Sequence, residues 1–283
     1  MHTIAKTTAA AAAAAALTLG LAGCGTDSDP AASTGKGDAD APLTVAASPV
    51  PHADILAFVK ENLAEDAGLK LEIKEFTDYV LPNTATENGE VDANYFQHKP
   101  YLDDFNAKQG THIVPVVDVH LEPLGLYSST LKKASDLGAG DTVAVPNDTT
   151  NEGRALRLLD EHGLIELKEG AGNDATLADI ADAKGLKFKE LEAAALPRSL
   201  EDVDAAVVNG NYAIEADLEP SKDALALEKA EGNPYANFLA VKEGNEDDPR
   251  VEKLAKLLTS DEVKKFIEEK YRGSVVSAAG AGS

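Results

Sequence analysis

One cysteine stands in 283 residues, so no disulfide framework holds this chain together. Tryptophan is absent, the only methionine is the initiator, and aromatic residues make up 5%. Basic residues are outnumbered: 26 Lys and Arg face 49 Asp and Glu, a formal net charge of −23. A surface of that sign repels phosphate backbones and argues against any nucleic-acid partner. It argues equally against docking on anionic lipid through a basic face. No Walker, G-x-S-x-G or zinc-ligand spacing occurs, and the six His show no H-E-x-x-H pattern. Gly170–Ala175 (GAGNDA) fits G-x-G-x-x-A, but the preceding Ile165–Glu169 (IELKE) is half charged and makes a poor buried strand. Nothing assembles a nucleophile, a base and an oxyanion site. No enzyme, metal or cofactor is therefore expected, and no repeat of solenoid period is present.

What is present begins with an address. Lys6 precedes an Ala-rich run and Leu17, Leu19 and Leu21, a stretch shorter and less apolar than a spanning helix needs. It ends Leu21-Ala22-Gly23-Cys24, which resembles the lipobox of bacterial lipoproteins. That resemblance makes 1–23 a signal peptide and Cys24 the lipidated first residue, anchored to a membrane by two or more acyl chains. A cleaved soluble protein with a chance Cys is the plainer alternative. Residues 24–42 hold no large apolar side chain and form a flexible tether, reaching about 20–25 Å on average.

From Leu43 onward, strand and helix signals alternate. Leu43–Ala47, Leu71–Phe76, Ile113–Val119, Thr142–Val145, Phe188–Leu191 and Ala205–Val208 have strand character. Helical spacing runs over Ile55–Leu63, stopped by Gly68, and over a segment opened by Asn151 and closed near Gly163. Thr176 and Asp179 form a capping-box pattern that predicts a short helix ending before Gly185. Asp248-Pro249 and Ser260 open two more helices, the second ending at Gly273. The alternation implies α/β architecture with mainly parallel sheets. In such sheets ligands sit beyond the carboxyl ends of strands, which singles out the stretches after Phe76, Val145 and Val208.

Five stretches carry a family resemblance: Phe76–Asn83 (FTDYVLPN), Val91–Leu102 (VDANYFQHKPYL), Val145–Leu156 (VPNDTTNEGRAL), Leu196–Leu200 (LPRSL) and Ala206–Ala213 (AVVNGNYA). Together they resemble the methionine-binding lipoproteins of the MetQ/NlpA type, the solute-capturing subunits of methionine-uptake ABC transporters. The likeness runs from about Leu43 to Gly273. One departure is Thr149, where many relatives carry Pro. The resemblance implies a two-lobed periplasmic-binding-protein-like fold of type II, with lobe one at 43–121 plus 236–283 and lobe two at 122–235. It also implies a cleft that closes on L-methionine and delivers it to a permease with its ATPase.

Seven side chains are candidate ligand contacts. Arg154, one turn into its helix, has the fork that grips a carboxylate, and the family's matching Arg does so. On the residues alone, a surface pair with Glu152 or Asp148 fits equally well. Asn209 follows a strand end, where it is either a turn residue or, as the family implies, a contact to the ligand backbone. Asn151 is a helix cap, a ligand contact, or both. Tyr79, Phe96, His98 and Tyr101 cluster in an aromatic-poor chain, and rings suit a polarizable thioether. Core packing is their ordinary fate, and His98 could instead hold a loop. Removing Arg154 should end binding with the fold intact. Within the same class, D-methionine, a methionine-containing dipeptide or another small apolar amino acid are the alternative ligands. A surface-anchored enzyme and an adhesion protein that has lost its ligand are the other classes.

Overall fold

The computed structural model describes residues 39–278. The signal peptide, Cys24, the tether up to residue 38, and residues 279–283 lie outside them. Among the described residues no helix is long and apolar enough to cross a membrane.

Thirteen strands are formed among the described residues. They are β1 Leu43–Ala47, β2 Leu71–Glu75, β3 Ala93–His98, β4 Ile113–Leu121, β5 Gly125–Tyr127, β6 Thr142–Pro146 and β7 Glu166–Leu167. Then follow β8 Ile180–Asp182, β9 Lys187–Leu191, β10 Ala205–Val208, β11 Ala226–Leu227, β12 Asn237–Lys242 and β13 Val276–Ser277. Six make one sheet in the order β13-β4-β12-β3-β1-β2, and five make a second in the order β11-β5-β10-β6-β9. β7 and β8 form a separate two-stranded ribbon.

The sheets are mixed rather than mainly parallel. In the first, only β1 with β2 and β1 with β3 run parallel. β12 enters antiparallel between β3 and β4. In the second, β6 runs parallel to β9 and β10, while β5 lies antiparallel to β10 and β11. The reason is the chain's route. It leaves the first sheet after β4 through 122–124 and builds the second. It then returns through 228–236 and must enter the first sheet from the opposite end.

Each sheet has its own core. Val45, Leu56, Val119, Leu239, Leu254 and Ile267 are buried together in the first. Helices Asp54–Asn62, Pro249–Leu258 and Asp261–Tyr271 supply its apolar stripes. In the second, Leu126, Val143, Val145, Leu156, Leu159 and Val207 pack together. The expected caps at Asp248 and Ser260 are formed, each side-chain oxygen accepting a first-turn N–H.

Most boundaries shift by a residue or two from the sequence expectation, and three shifts bear on the architecture. β2 stops at Glu75, leaving Phe76 outside. The capping box at Thr176 and Asp179 forms, but it closes a single turn, Leu177–Asp179, because the chain is then drawn into β8 to pair with β7. The helix attributed to Asn151 opens two residues earlier, as Thr149–Glu161. Its cap is Asp148, whose Oδ1 accepts the Asn151 N–H at 3.0 Å.

The GAGNDA stretch is a loop packed on that helix. A Cβ added at Gly153 would lie 2.2 Å from the carbonyl oxygen of Asn173 and 2.7 Å from its carbon. Both obstacles are backbone, so the loop itself would have to move. Gly153→Ala should therefore destabilise the protein by about 1–3 kcal/mol despite alanine's better helix propensity. Urea unfolding measures it, and an unchanged or higher midpoint would rule out the contact.

Candidate ligand-binding site

Between the two sheets lies a narrow cavity. Tyr79, Phe96, Gln97, His98, Tyr101 and Asn237 line it from the first sheet's side. Asn151, Arg154, Asn209 and Gly210 line it from the second, and Glu122 from the first crossover. All seven side chains expected from the sequence thus meet at one place.

The local causes are legible. Arg154 and Asn151 sit in the first two turns of the helix that follows β6, and Asn209 follows β10 directly. β6 and β10 are parallel neighbours, so their carboxyl ends open on the same edge. Phe96 and His98 lie at the end of β3, and His98 caps helix Lys99–Gln109 by accepting the Tyr101 N–H at Nδ1, 3.2 Å away. That leaves the proton on Nε2, which faces Oδ1 of Asn151 at 3.2 Å. Burial, and then the nearby Arg154, bring the His98 pKa down to about 3, so the ring is neutral.

Asn151 is a junction. Its Nδ2 donates to both oxygens of Asp148, at 3.0 and 3.1 Å, and its Oδ1 also accepts from Asn209 Nδ2 at 3.0 Å. Its amide is thus held by protein on both sides. Asn209 differs: its Oδ1 is buried and has no partner. A buried acceptor without a donor costs about 1–3 kcal/mol, so this atom marks where a donor belongs.

Arg154 pairs with neither Glu152 nor Asp148. Its Nε donates to Oε1 of Glu228 at 2.7 Å, and its Nη2 to Oε2 at 2.5 Å. Nη2 also reaches the carbonyl of Glu122 at 2.9 Å, and the guanidinium lies 4.2 Å from the centre of the Tyr235 ring. Both crossovers are therefore tied to one side chain. Burial works against its charge, but the Glu228 carboxylate, Tyr235 and Glu122 together hold its pKa above the usual range. Among the described residues, Nη1 has no hydrogen-bond partner. This pairing gives Arg154 a structural part besides the one expected of it.

The aromatic wall is continuous. The Tyr79 ring lies 6.1 Å from Phe96, 5.7 Å from Tyr101 and 5.0 Å from Tyr212. Tyr101 donates its hydroxyl to the Tyr79 carbonyl at 2.8 Å. The Tyr79 hydroxyl crosses to the other side of the cleft and donates to Asn211 Oδ1 at 2.6 Å, while Tyr212 donates back to the Thr77 carbonyl at 3.1 Å. Thr149 takes the first helical position, where Pro is readily accommodated, and accepts from Lys108 Nζ at 2.7 Å across the same gap.

Glu122, Asn237, Gln97 and Gly210 were missed in the sequence. Glu122 follows the last residue of β4, so the strand-end rule could have found it. Asn237 opens an antiparallel strand, opposite His98 in register, so that rule does not apply to it. Gln97 belongs to a buried amide network with Asn83 and Asn94, and Gly210 lies against Glu122. Burial pushes the Glu122 carboxyl up, and His52 and Arg154 pull it back in part. Among the described residues, His52, His120 and Glu122 are the group with metal-ligand chemistry. Nε2 of His120 hydrogen-bonds a Glu122 oxygen at 2.7 Å, and Nε2 of His52 lies 3.2 Å from the same oxygen.

The NlpA lipoprotein family model matches residues 43–279. The methionine-binding lipoprotein MetQ of Bacillus subtilis is 42% identical over 240 residues, covering 83% of this chain and 87% of that protein. The D-methionine-binding lipoprotein MetQ of Escherichia coli K12 is 43% identical over 225 residues, covering 78% and 83%. A nutrient-binding protein from Burkholderia cenocepacia, solved bound to methionine, superposes with a TM-score of 0.81 at 47% identity, covering 83% of this chain and 99% of that one. With the fold and the family model in agreement over the described body, the chain belongs to the NlpA lipoprotein family.

Proposed function

We propose that this protein is the methionine-capturing lipoprotein of an ABC uptake transporter. Lipidated Cys24 anchors it on the extracytoplasmic face of a membrane, and it hands its ligand to a permease served by an ATPase. It performs no covalent chemistry. Lobe one is 43–121 with 236–283, lobe two is 122–235, and the crossovers at 122–124 and 228–236 are the hinge.

The carrying observation is the distribution of polarity in the cavity. One end holds the buried Arg154 guanidinium, the unpartnered Oδ1 of Asn209 and the Glu122 carboxylate. The other holds Tyr79, Phe96 and Tyr101. A zwitterion with an apolar, polarizable tail matches both ends. The ligand carboxylate meets Arg154, its ammonium meets Asn209 Oδ1 and Glu122, and its thioether lies against ring edges. His98 and Asn151 shape the wall between. The names of the relatives from Bacillus subtilis and Escherichia coli, and the methionine-bound relative, support the same ligand.

A thermal-shift panel of L-methionine, D-methionine, methionine-containing dipeptides and small apolar amino acids tests this. Ligand at 100 times its Kd stabilises by about 2.7 kcal/mol, a shift of several degrees. A methionine enantiomer should give the largest shift, and glycine should bind at least about ten-fold more weakly for want of a buried side chain. No shift with any amino acid or peptide would end this reading.

A further inference from the structure

Behind Glu122, beneath the cavity, lie two buried histidines. His52 is 1% exposed and His120 fully buried, and neither lines the cavity. Nε2 of His120 hydrogen-bonds Oε1 of Glu122 at 2.7 Å, and Nε2 of His52 lies 3.2 Å from the same atom while bonding Asn237. The rings are locked from behind. Tyr95 hydrogen-bonds Nδ1 of His120, and the rings of His52, Tyr95 and His120 meet edge to face at 4.8–5.3 Å.

The protons can be placed from these partners. Burial lowers the His52 pKa to about 4 and that of His120 to about 3, so both rings are neutral and carry one N–H each. Tyr95 occupies Nδ1 of His120, and its Nε2 faces a carboxylate, so the proton belongs on Nε2. His52 Nδ1 has no partner, while its Nε2 faces two acceptors, Asn237 Oδ1 at 3.0 Å and Glu122 Oε1. Its proton also belongs on Nε2. His120 therefore donates to the Glu122 oxygen, while His52 donates to Asn237 and packs against that same oxygen at 3.2 Å.

The opposite flank of Glu122 is closed by backbone. A Cβ added at Gly210 would lie 2.7 Å from Glu122 Cβ and 3.3 Å from its Oε2. The carboxylate is thus held between two rings and a glycine. We propose that His52 and His120 are positioning residues that fix Glu122 in one orientation, so that the site takes only ligands with an unsubstituted α-ammonium. Free amino acids satisfy this. N-acylated or N-terminally extended forms do not: they lose the positive charge and add atoms where Glu122 and Gly210 leave no room. This rests on the reading above, in which Glu122 receives the ammonium.

Calorimetry on the full-length protein in detergent tests it with three probes: L-methionine, 4-(methylthio)butanoate, which lacks the ammonium, and N-acetyl-L-methionine. The wild-type protein should bind methionine at least about 100-fold more tightly than either analogue. His120→Leu and His52→Leu should shrink the ratio of methionine to the deaminated analogue by about ten-fold, through methionine alone. His120→Gln, which returns an N–H near the Nε2 position, should restore most of it. A merely structural defect would weaken both ligands alike and leave the ratio unchanged, and that result overturns the proposal. Should neither leucine variant fold, the wild-type comparison decides: N-acetyl-methionine within ten-fold of methionine overturns it. A wild-type protein that binds no methionine overturns the proposed function instead.

Discussion

Arg154→Ala is expected to abolish methionine binding and to destabilise the empty protein as well. The two losses have different origins. A charge-assisted hydrogen bond to a ligand carboxylate is worth about 1.5–3 kcal/mol, and the guanidinium supplies the compensating charge in a buried site. Affinity should fall at least about 100-fold in calorimetry. The stability loss comes from Glu228, whose side chain is 10% exposed and takes both Nε and Nη2 of Arg154. Alanine leaves that carboxylate buried without its cation, a situation that costs about 3–5 kcal/mol when one partner of a buried pair is removed. The second substitution separates the effects. Arg154→Ala with Glu228→Gln should recover much of the unfolding midpoint, because a neutral amide replaces the stranded charge, yet it should still bind no methionine. Retained affinity in either variant would remove Arg154 from the site.

How much of this could be read from the sequence depended on where polarity sits. Apolar runs such as Leu43–Ala47 and Ala205–Val208 announced buried strands, and their bounds match those of β1 and β10. β3 is equally buried along all six residues, but it carries Asn94, Gln97 and His98 inward. Asn94 and Gln97 are satisfied by side chains of the preceding helix, Leu81–Glu87: Asn94 by Asn83 and Thr86, Gln97 by Asn83. A polar residue on an interior face erases the pattern by which strands are recognised, so β3 was visible only as a family motif. The same limit applied to the site. Arg154 and Asn209 lie just beyond strands readable by composition, which placed them on the right edge. Glu228 sits in the acidic 228–236 crossover, among charges that look solvated until the return of the chain is known. No local pattern tells one interior Glu from 49 acids.

On the proposed reading, Tyr79 joins the ligand to the closure of the cleft, and its variants should separate the two. The ring packs against Phe96 and Tyr101, while the hydroxyl crosses to Asn211 Oδ1 at 2.6 Å. The Nδ2 of that same Asn211 is buried without a partner, so its oxygen already makes the amide's one side-chain bond. Tyr79→Phe keeps the ring and deletes the crossing bond, leaving Asn211 unsatisfied on both ends in the closed form. Such a loss is worth about 1–3 kcal/mol, and it is paid only when the lobes are shut. The open form, free to hydrate Asn211, gains population. Methionine affinity should therefore fall about 5- to 100-fold, almost wholly through faster release, while the unfolding midpoint of the empty protein shifts less. Tyr79→Ala removes the ring as well. It opens the aromatic wall to water and should cost a further few kcal/mol of binding, since burial of an aromatic face and the sulfur contact are both lost. Stopped-flow release of methionine, with small-angle scattering of the empty and filled protein, reads both steps. If Tyr79→Phe released methionine at the wild-type rate, the hydroxyl would have no part in holding the cleft shut. If Tyr79→Ala did no more harm than Tyr79→Phe, the ring would not be touching the ligand.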